Sequence, residues 1–267
     1  MTVRGWKGRH LMTLQDILTT LRTLAPETLA LPGDPVGLLI GSEDMRPVTK
    51  IGVCLDATPD ACARAVKAKA GLVVCHHPLI YTPLKRLDPQ ADWVARAALT
   101  LAKADIALYA MHTNWDRAQG GVNDCLAALL DLVDVRPLGD DGETALPRIG
   151  TLPAPRPLSD FVRLVEHALT CTGTNALRCL DLGSHKMISR VAVCGGAGAS
   201  LLRAVHAAGA DAYVTSDVRH HEFLEADALG LALLDAGHDA TETPAMRDLC
   251  LTLTQKLPGV ECSWVGA

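Results

Sequence analysis

Short apolar runs of strand length alternate with helical patterns along most of the chain, and this alternation limits the possible folds more than any other feature. It is typical of β-α-β units, in which a helix connects two parallel strands of one sheet. The predicted strands are residues 51–55, 71–75, 106–111, 191–194, 212–215 and 231–235, with helices between and after them. We therefore expect an α/β fold with mainly parallel sheets.

Local signals mark the helix starts and divide the chain. Thr13 followed by Asp16 predicts a capped first helix, and Thr58 followed by proline predicts another. Prolines 147, 153, 155 and 157 interrupt the pattern before a predicted helix over 158–169 and a predicted strand over 177–182. We predict a flexible leader at 1–12, a first α/β half at 13–146 and a second half at 147–267, with a proline-rich junction near 147–157.

The two predicted halves resemble each other. Residues 51–54 read Ile-Gly-Val-Cys and residues 191–194 read Val-Ala-Val-Cys, while residues 72–75 match residues 212–215 at the same offset of 140. A repeated offset indicates an internal duplication.

Composition excludes several classes of protein. The chain has 267 residues, of which 49% are hydrophobic and 21% are charged, as in soluble globular proteins. A net charge of -5 makes nucleic acid a poor partner, and no apolar stretch approaches the roughly 20 residues of a membrane span. The nine cysteines are an odd number without a C-x-x-C pair, which favours reduced thiols and a cytoplasmic protein.

Residues capable of metal binding or catalysis cluster where the predicted strands end. Ligands of parallel α/β sheets bind beyond the carboxyl ends of the strands. These ends carry Asp56, His76-His77, the run from His112 to Asp116, Ser216-Asp217, and His238 with Glu242. A lone histidine near a turn is usually a packing residue, but four of the ten histidines at three strand ends favour a shared site.

Imidazole and carboxylate groups together suit zinc, iron, manganese or nickel. Adjacent histidines diverge at a strand end and can therefore face two different ions. We predict that two divalent ions are held by His76, His77, Asp116, His238 and Glu242. His238 and Glu242 are expected on a loop before a helix that starts at Thr243-Pro244. A two-metal site with positions open to water usually supports hydrolysis.

Other features have two interpretations each. Asp217, His220 and His221 either contact a substrate or form an ordinary helix start. The glycines between 195 and 198 either hold a phosphate or make a tight turn, and they do not match G-x-G-x-x-G. Tyr81 and Trp115 either line a pocket or pack. Residues 260–265 form either a last strand or a subunit contact.

An ordered set of motifs resembles the Nif-three-like family, whose members are labelled GTP cyclohydrolase I type 2 homologues. The motifs are GDPVGLLIG from Gly33, CHHPL from Cys75, HTNWD from His112, GGVND from Gly120, CGGAG from Cys194 and GHDATE from Gly237, and the resemblance spans residues 13–261. The resemblance implies two related α/β halves, a dinuclear metal centre between them and a toroidal homohexamer. It places the family's metal ligands on the five residues named above and His112 near the centre as a catalytic residue.

Two departures from the family pattern stand out. Gly33-Asp-Pro replaces a frequent Trp-Asp-Asn, and Asp217 replaces a frequent glutamate. At 267 residues we expect the compact form, without the extra domain that longer relatives carry between the halves.

Two functions from different classes follow. The first is a metal-dependent hydrolase acting on a small nucleotide-like or phosphorylated substrate, cyclohydrolase-like by resemblance. The alternative is a non-catalytic metal-binding or interaction scaffold that forms a ring. A ring that binds DNA is the weakest interpretation, because the chain is acidic and its longest basic run is Lys85-Arg86.

Overall fold

The computed structural model of the chain describes residues 12–169, 176–180, 182–183 and 185–267. The predicted leader lies outside the described residues except for Met12. The described helices are α1 (Leu14–Leu24), α2 (Pro59–Ala68), α3 (Trp93–Lys103), α4 (Thr113–Arg117), α5 (Val122–Leu129), α6 (Leu158–Leu169), α7 (Leu202–Ala207), α8 (His220–Leu229) and α9 (His238–Lys256). The described strands are β1 (Gly37–Ile40), β2 (Lys50–Asp56), β3 (Leu72–His77), β4 (Ala107–Ala110), β5 (Val133–Pro137), β6 (Arg148–Pro157), β7 (Arg178–Cys179), β8 (Met187–Val193), β9 (Ala212–Thr215), β10 (Ala232–Asp235) and β11 (Glu261–Trp264). Short 3-10 helices lie at Glu27–Leu29, Gly142–Ala145 and Ala199–Leu201.

The strands form two sheets with helices packed on their faces. The first sheet has the order β1-β4-β3-β2-β11, and the second has the order β5-β6-β8-β9-β10-β7. The pairs β2-β3, β3-β4, β11-β2, β8-β9 and β10-β9 are parallel, while the remaining pairs are antiparallel. The predicted α/β fold is confirmed.

The two parallel cores share one register. Ile51 pairs with Leu72 in the first sheet, and Val191 pairs with Ala212 in the second. Both members of the second pair lie 140 residues beyond those of the first, so the structure repeats the offset seen in the sequence. This agreement supports the predicted duplication.

Buried apolar side chains fill both faces of each sheet. In the first sheet, α1 and α9 cover one face and α2 with α3 covers the other. In the second sheet, α5 and α6 cover one face and α7 with α8 covers the other. The helix α9 starts at the second sheet but packs Met246 and Leu249 into the core of the first sheet, so it joins the two units.

The sheets exchange elements across the predicted division of the chain. The strand β5 lies before residue 147 yet belongs to the second sheet, and β11 returns from the C-terminal end to pair with β2 of the first sheet. The segment from 260 to 265 therefore forms a last strand. The division at residues 147–157 stays a prediction.

Local sequence signals explain the element boundaries. Thr13 and Asp16 form the predicted reciprocal cap of α1. The proline-rich junction is itself a strand: β6 loses register between Thr151 and Arg156, and this irregularity takes Pro153 and Pro155 out of the hydrogen-bonded ladder. The predicted strand at 177–182 is reduced to β7, and residue 181 lies outside the described residues.

The expected loop at His238 and Glu242 is wrong. Helix α9 begins at His238, directly after Gly237 with φ +85°, and Pro244 lies inside the helix. Thr241 donates its hydroxyl to the carbonyl of His238, which stabilises the first turn. His238 and Glu242 consequently lie one turn apart on the same helical face.

Candidate metal centre

Residues from both sheets meet at the carboxyl ends of their parallel strands. From the first sheet, His76 and His77 end β3, His112 follows β4, and Asp116 lies in the short helix α4. From the second sheet, β10 leads into the first turn of α9, which carries His238 and Glu242. The topology therefore brings together the five residues predicted as metal ligands.

Glu242 lies at the middle of the cluster. Its Oε1 is 3.6 Å from His76 Nε2, and its Oε2 is 3.0 Å from His77 Nε2 and 3.2 Å from His238 Nε2. His77 Nε2 and His238 Nε2 are 3.1 Å apart, and His76 Nε2 is 3.5 Å from Asp116 Oδ1. Three groups have ligand atoms within 4.8 Å of one another: His76, His77 and His112; His77, His238 and Glu242; and His76, Asp116 and Glu242.

Every histidine of the cluster is held through its Nδ1 atom. His76 Nδ1 lies 2.7 Å from the carbonyl oxygen of Met111. The other three face carboxylates, which are Asp56 at 2.8 Å from His77, Asp217 at 2.7 Å from His238 and Asp34 at 2.8 Å from His112. An Nδ1–H group that donates to such an acceptor leaves Nε2 as the lone-pair nitrogen. In this tautomer the Nε2 atoms of His76, His77 and His238 direct their lone pairs at the cluster.

Three buried atoms of the cluster make no hydrogen bond. These are His76 Nε2, Asp116 Oδ1 and Glu242 Oε2. Buried polar atoms are nearly always hydrogen-bonded, so an orphaned set of one nitrogen and two carboxylate oxygens requires an explanation. All three atoms are of the kind that binds a divalent cation, and the residues present therefore fit a metal ion.

Charges within the cluster shift one another's protonation. Burial raises the pKa of Asp116 to about 6. Burial also acts to raise the pKa of Glu242, but the surrounding histidines outweigh it and hold that pKa well below its usual range. For His77 burial lowers the pKa, yet the neighbouring carboxylates of Asp56 and Glu242 raise it to about 10. The neighbouring carboxylate of Glu242 raises the pKa of His238 to about 9. A bound cation would take the place of these protons.

Two buried contacts join the ligand-bearing segments. Asn123 donates to the backbone carbonyl of Asp116 at 3.1 Å and accepts the N–H of Gly195 at 2.7 Å, so one side chain connects the Asp116 segment to the glycine loop. Gly196, with φ +65°, lies directly beside the cluster: a Cβ atom there would be 2.3 Å from Glu242 Oε1 and 3.2 Å from His238 Nε2. The glycine loop is therefore a close-approach turn against the cluster.

Two cavities open beside the cluster, and His112 lines both. The Asp34 cavity, of about 390 Å³, includes Asp34, Tyr81 and Glu143. The Trp93 cavity, of about 660 Å³, includes His77, Tyr81 and Trp93. Both volumes are in the range of small-molecule sites.

The remaining predicted site residues have different surroundings. Asp217, with φ +55°, accepts a hydrogen bond from His238. His220 and His221 are exposed at the start of α8 and line neither cavity, and their contact with a substrate stays a prediction. Trp115 is buried and packs in the first core, whereas Tyr81 is exposed.

Sequence reasoning missed the roles of Asn123 and Gly196. Both lie in motifs that the sequence analysis identified, but Asn123 binds backbone atoms of two other segments, and Gly196 lies against the side chains of Glu242 and His238. The one signal available in the sequence was for Gly196, a glycine that follows closely after the end of a strand.

The fold and the cluster define a two-sheet α/β protein with histidine and carboxylate groups arranged to hold metal. The family profile described as Duf34/NIF3 (NGG1p interacting factor 3) matches residues 12–265, and the chain belongs to this family. The resemblance seen in the sequence motifs is confirmed.

Relatives match over nearly the whole chain. A GTP cyclohydrolase 1 type 2 homolog of Nostoc sp. is 35% identical over 258 residues, which cover 95% of this chain and 94% of the relative. A hypothetical protein of Staphylococcus aureus has a similar structure, with a TM-score of 0.86 at 25% identity and 96% coverage of each chain. Reduced HcgD from Methanocaldococcus jannaschii matches with a TM-score of 0.79 at 28% identity, covering 94% of this chain and 96% of that one. Among the described residues, no helix combines the length and the apolar character needed to cross a membrane.

Proposed function

We propose that the chain binds two divalent cations and acts as a metal-dependent hydrolase on a small organic substrate. The observation that carries this proposal is the orientation of the histidines. Nδ1 of His76, His77 and His238 is bonded away from the cluster, and the facing His76 Nε2 lacks a hydrogen-bond partner, as do Asp116 Oδ1 and Glu242 Oε2. A purely structural cluster would satisfy these atoms within the protein.

Two ligand sets share one carboxylate. His76, Asp116 and Glu242 would hold one cation, while His77, His238 and Glu242 would hold the other. The two oxygens of Glu242 face different histidines, which suits a bridging role. Asp56 and Asp217 would orient His77 and His238 from behind, an arrangement that makes the imidazole a better ligand.

The chemistry follows from the open side of the centre. A divalent cation, when bound, supplies Lewis-acid catalysis and activates water for hydrolysis. His112 borders both cavities, and Asp34 fixes its Nδ1 at 2.8 Å. This arrangement would let Nε2 of His112 exchange a proton with a substrate, as a general acid or base does.

The open cavities favour an enzyme over a scaffold that only stores metal. A carrier or structural site tends to complete its coordination with protein groups, whereas a catalytic site leaves space for substrate. The names of the relatives agree with hydrolysis, since several are called GTP cyclohydrolase 1 type 2 homologs. A name that is shared by homology does not define the substrate of this chain.

Elemental analysis of protein purified without chelator or affinity metal tests metal binding. We expect about two transition-metal ions per chain in the wild type, and a loss of metal in His77→Ala and Glu242→Ala, which remove ligands. His206→Ala is the matched control, because His206 is an exposed histidine of α7 that belongs to none of the three groups of candidate ligands. A metal-free wild type that recruits no Zn, Mn or Fe on addition would refute the proposal.

A second variant separates catalysis from binding. His112→Gln should keep the bound metal and lose turnover of any substrate found by screening, because the glutamine cannot exchange a proton near neutral pH. Unchanged turnover in this variant would remove His112 from the mechanism. The homohexamer implied by the resemblance is tested by light scattering, where we expect a mass about six times the 28.3 kDa of the chain.

A further inference from the structure

Two aromatic side chains beside the candidate centre stand exposed. The structure describes eight Trp, Tyr and Phe residues, and the burial of the other six is readily explained. Trp115, Tyr109, Tyr213 and Phe161 are buried, while the half-buried Phe223 and Trp264 each have an arginine over the ring. Only Tyr81 and Trp93 of these eight are exposed, at 65% and 52%.

These two residues line the same cavity. The Trp93 cavity contains both aromatic residues together with His77 and His112 of the cluster. Exposed aromatic rings are costly to keep in water, and two of them beside polar catalytic groups are typical of a ligand site. Flat rings of substrates stack on such side chains, as nucleic-acid bases do.

Two carboxylates line each of the two cavities. Asp34 and Glu143 line the first cavity, and Asp56 and Asp92 line the second. No lysine or arginine is among the described residues that line either one. The arginine cavity, of about 360 Å³, contains Arg117 and Arg136 but none of the histidines of the cluster.

Bound cations would not reverse this balance. Five carboxylates belong to the centre, since Asp116 and Glu242 face the histidines and three others accept hydrogen bonds from imidazoles. When all five are ionised, their total negative charge exceeds the positive charge of two divalent ions by one unit. A triphosphate chain carries several negative charges, which the carboxylates around these cavities repel.

We propose that the Trp93 cavity binds an uncharged planar heterocycle, such as the base of a nucleoside without phosphate groups, and discriminates against a triphosphate chain. The proposal rests on the proposed function in one respect, because a ring in this cavity would place its reacting atom beside His77 and His112. The substrate class is thus a neutral ring compound stacked on Trp93 and Tyr81.

Isothermal titration calorimetry with the full chain tests the proposal. The probes are adenosine, guanosine, cytidine and uridine, each compared with its own triphosphate, on metal-loaded and on chelator-treated protein. We expect at least one nucleoside to bind, and its triphosphate to bind at least about ten times more weakly. Trp93→Leu and Tyr81→Leu should each weaken that nucleoside about tenfold, because they remove a stacking surface.

Leu251→Ala is the control, since Leu251 is an exposed apolar residue of α9 that lines neither cavity. Three results would overturn the proposal: no nucleoside binds the wild type, a triphosphate binds as tightly as its nucleoside, or Trp93→Leu and Tyr81→Leu bind like Leu251→Ala. Metal content measured on the same samples separates the two proposals. Nucleoside binding to a protein that takes up no metal would refute the metal centre alone, whereas normal metal content with no ring binding would refute the ring site alone.

Discussion

Replacing Gly196 by alanine tests whether the glycine loop shapes the metal centre. The new Cβ would lie 2.3 Å from Glu242 Oε1, and ordinary contact begins near 3.4 Å, so the carboxylate must retreat by roughly 1 Å. Glu242 is almost fully buried and touches three histidines, and it has little space into which to move. Metal sites tolerate ligand shifts of only about 0.2 Å, so we expect metal affinity to fall at least about tenfold.

The backbone contribution can be separated with a second glycine. Gly196 and Gly230 have φ of +65° and +63°, and alanine costs roughly 1–2 kcal/mol in this region at either position. A Cβ at Gly230 meets nothing within 4 Å, so Gly230→Ala carries the backbone strain without the contact. The free energy of unfolding should fall by roughly 1–3 kcal/mol more in Gly196→Ala than in Gly230→Ala, because the new Cβ atom overpacks the site.

The assay is competition for Zn²⁺ against a chromophoric chelator, with urea unfolding measured on the same preparations. Gly230→Ala should bind metal like the wild type despite its lower stability. Equal metal affinity and stoichiometry in Gly196→Ala and Gly230→Ala would refute the reasoning, because the contact with Glu242 would then have no consequence.

Three further predictions concern the supports of the centre. Asn123→Ala leaves the Asp116 carbonyl and the Gly195 N–H without their partner, at about 1–3 kcal/mol each, so the free energy of unfolding in urea should fall by about 2–6 kcal/mol. A loss below about 0.5 kcal/mol would contradict the bridging role. His77 and His238, with pKa values raised to about 10 and about 9, carry protons that a cation must displace. In a chelator competition, the association constant for metal should therefore rise about tenfold per pH unit for each displaced proton between about pH 6 and 8, and an association constant that does not change with pH would contradict this prediction. Met246→Ala and Leu253→Ala each create a cavity in the same core and should each cost about 2–5 kcal/mol of stability, but only Met246 lies one turn from Glu242. Calorimetric titration with Zn²⁺ should therefore show weaker binding for Met246→Ala only, and equal affinities of the two variants would show that the packing of α9 does not affect the metal centre.

The parallel strands and the strand-end residues could be predicted from the sequence because both depend on local pattern. A buried parallel strand is an apolar run such as 72–75, and the residue that follows it lies at the ligand-binding edge whatever the rest of the chain does. His76 and His77 follow directly from this rule. His238 and Glu242 lie next to each other, as predicted, even though the expected loop is a helix, since residues four apart share one face of a helix.

The antiparallel strands β1, β5 and β6 lie outside the predicted strands, for a physical reason. β1 is only half-buried at three of its four residues, β5 is exposed along its whole length, and β6 carries three prolines, so none of them shows a buried apolar run. Each is fixed by pairing with a neighbour: β1 with β4, and β5 with β6. Such pairing leaves no signal in the sequence of the strand itself.

Asp34 shows the same limit at the site. It lies 78 residues before His112, in a motif that sequence reasoning could recognise by resemblance but could not connect to a particular histidine. Its carboxylate also accepts the N–H of Thr113, so it fixes both the imidazole and the start of α4. A residue that acts on two distant groups can be found only when the chain is folded.

The position of Glu242 depends on both sheets at once, and this explains why the chain crosses between them at its C-terminal end. The second sheet sets the start of α9 through β10, and the glycine loop after β8 presses against the Glu242 carboxylate. The body of α9 then packs in the first core, and β11 anchors its far end beside β2. If the helix packed only on its own sheet, the two units could rock against each other and the distance between Glu242 and His76 would vary. Because both ends of α9 are fixed by packing, the ligands from the two sheets keep constant distances from one another, as a centre built from two halves requires.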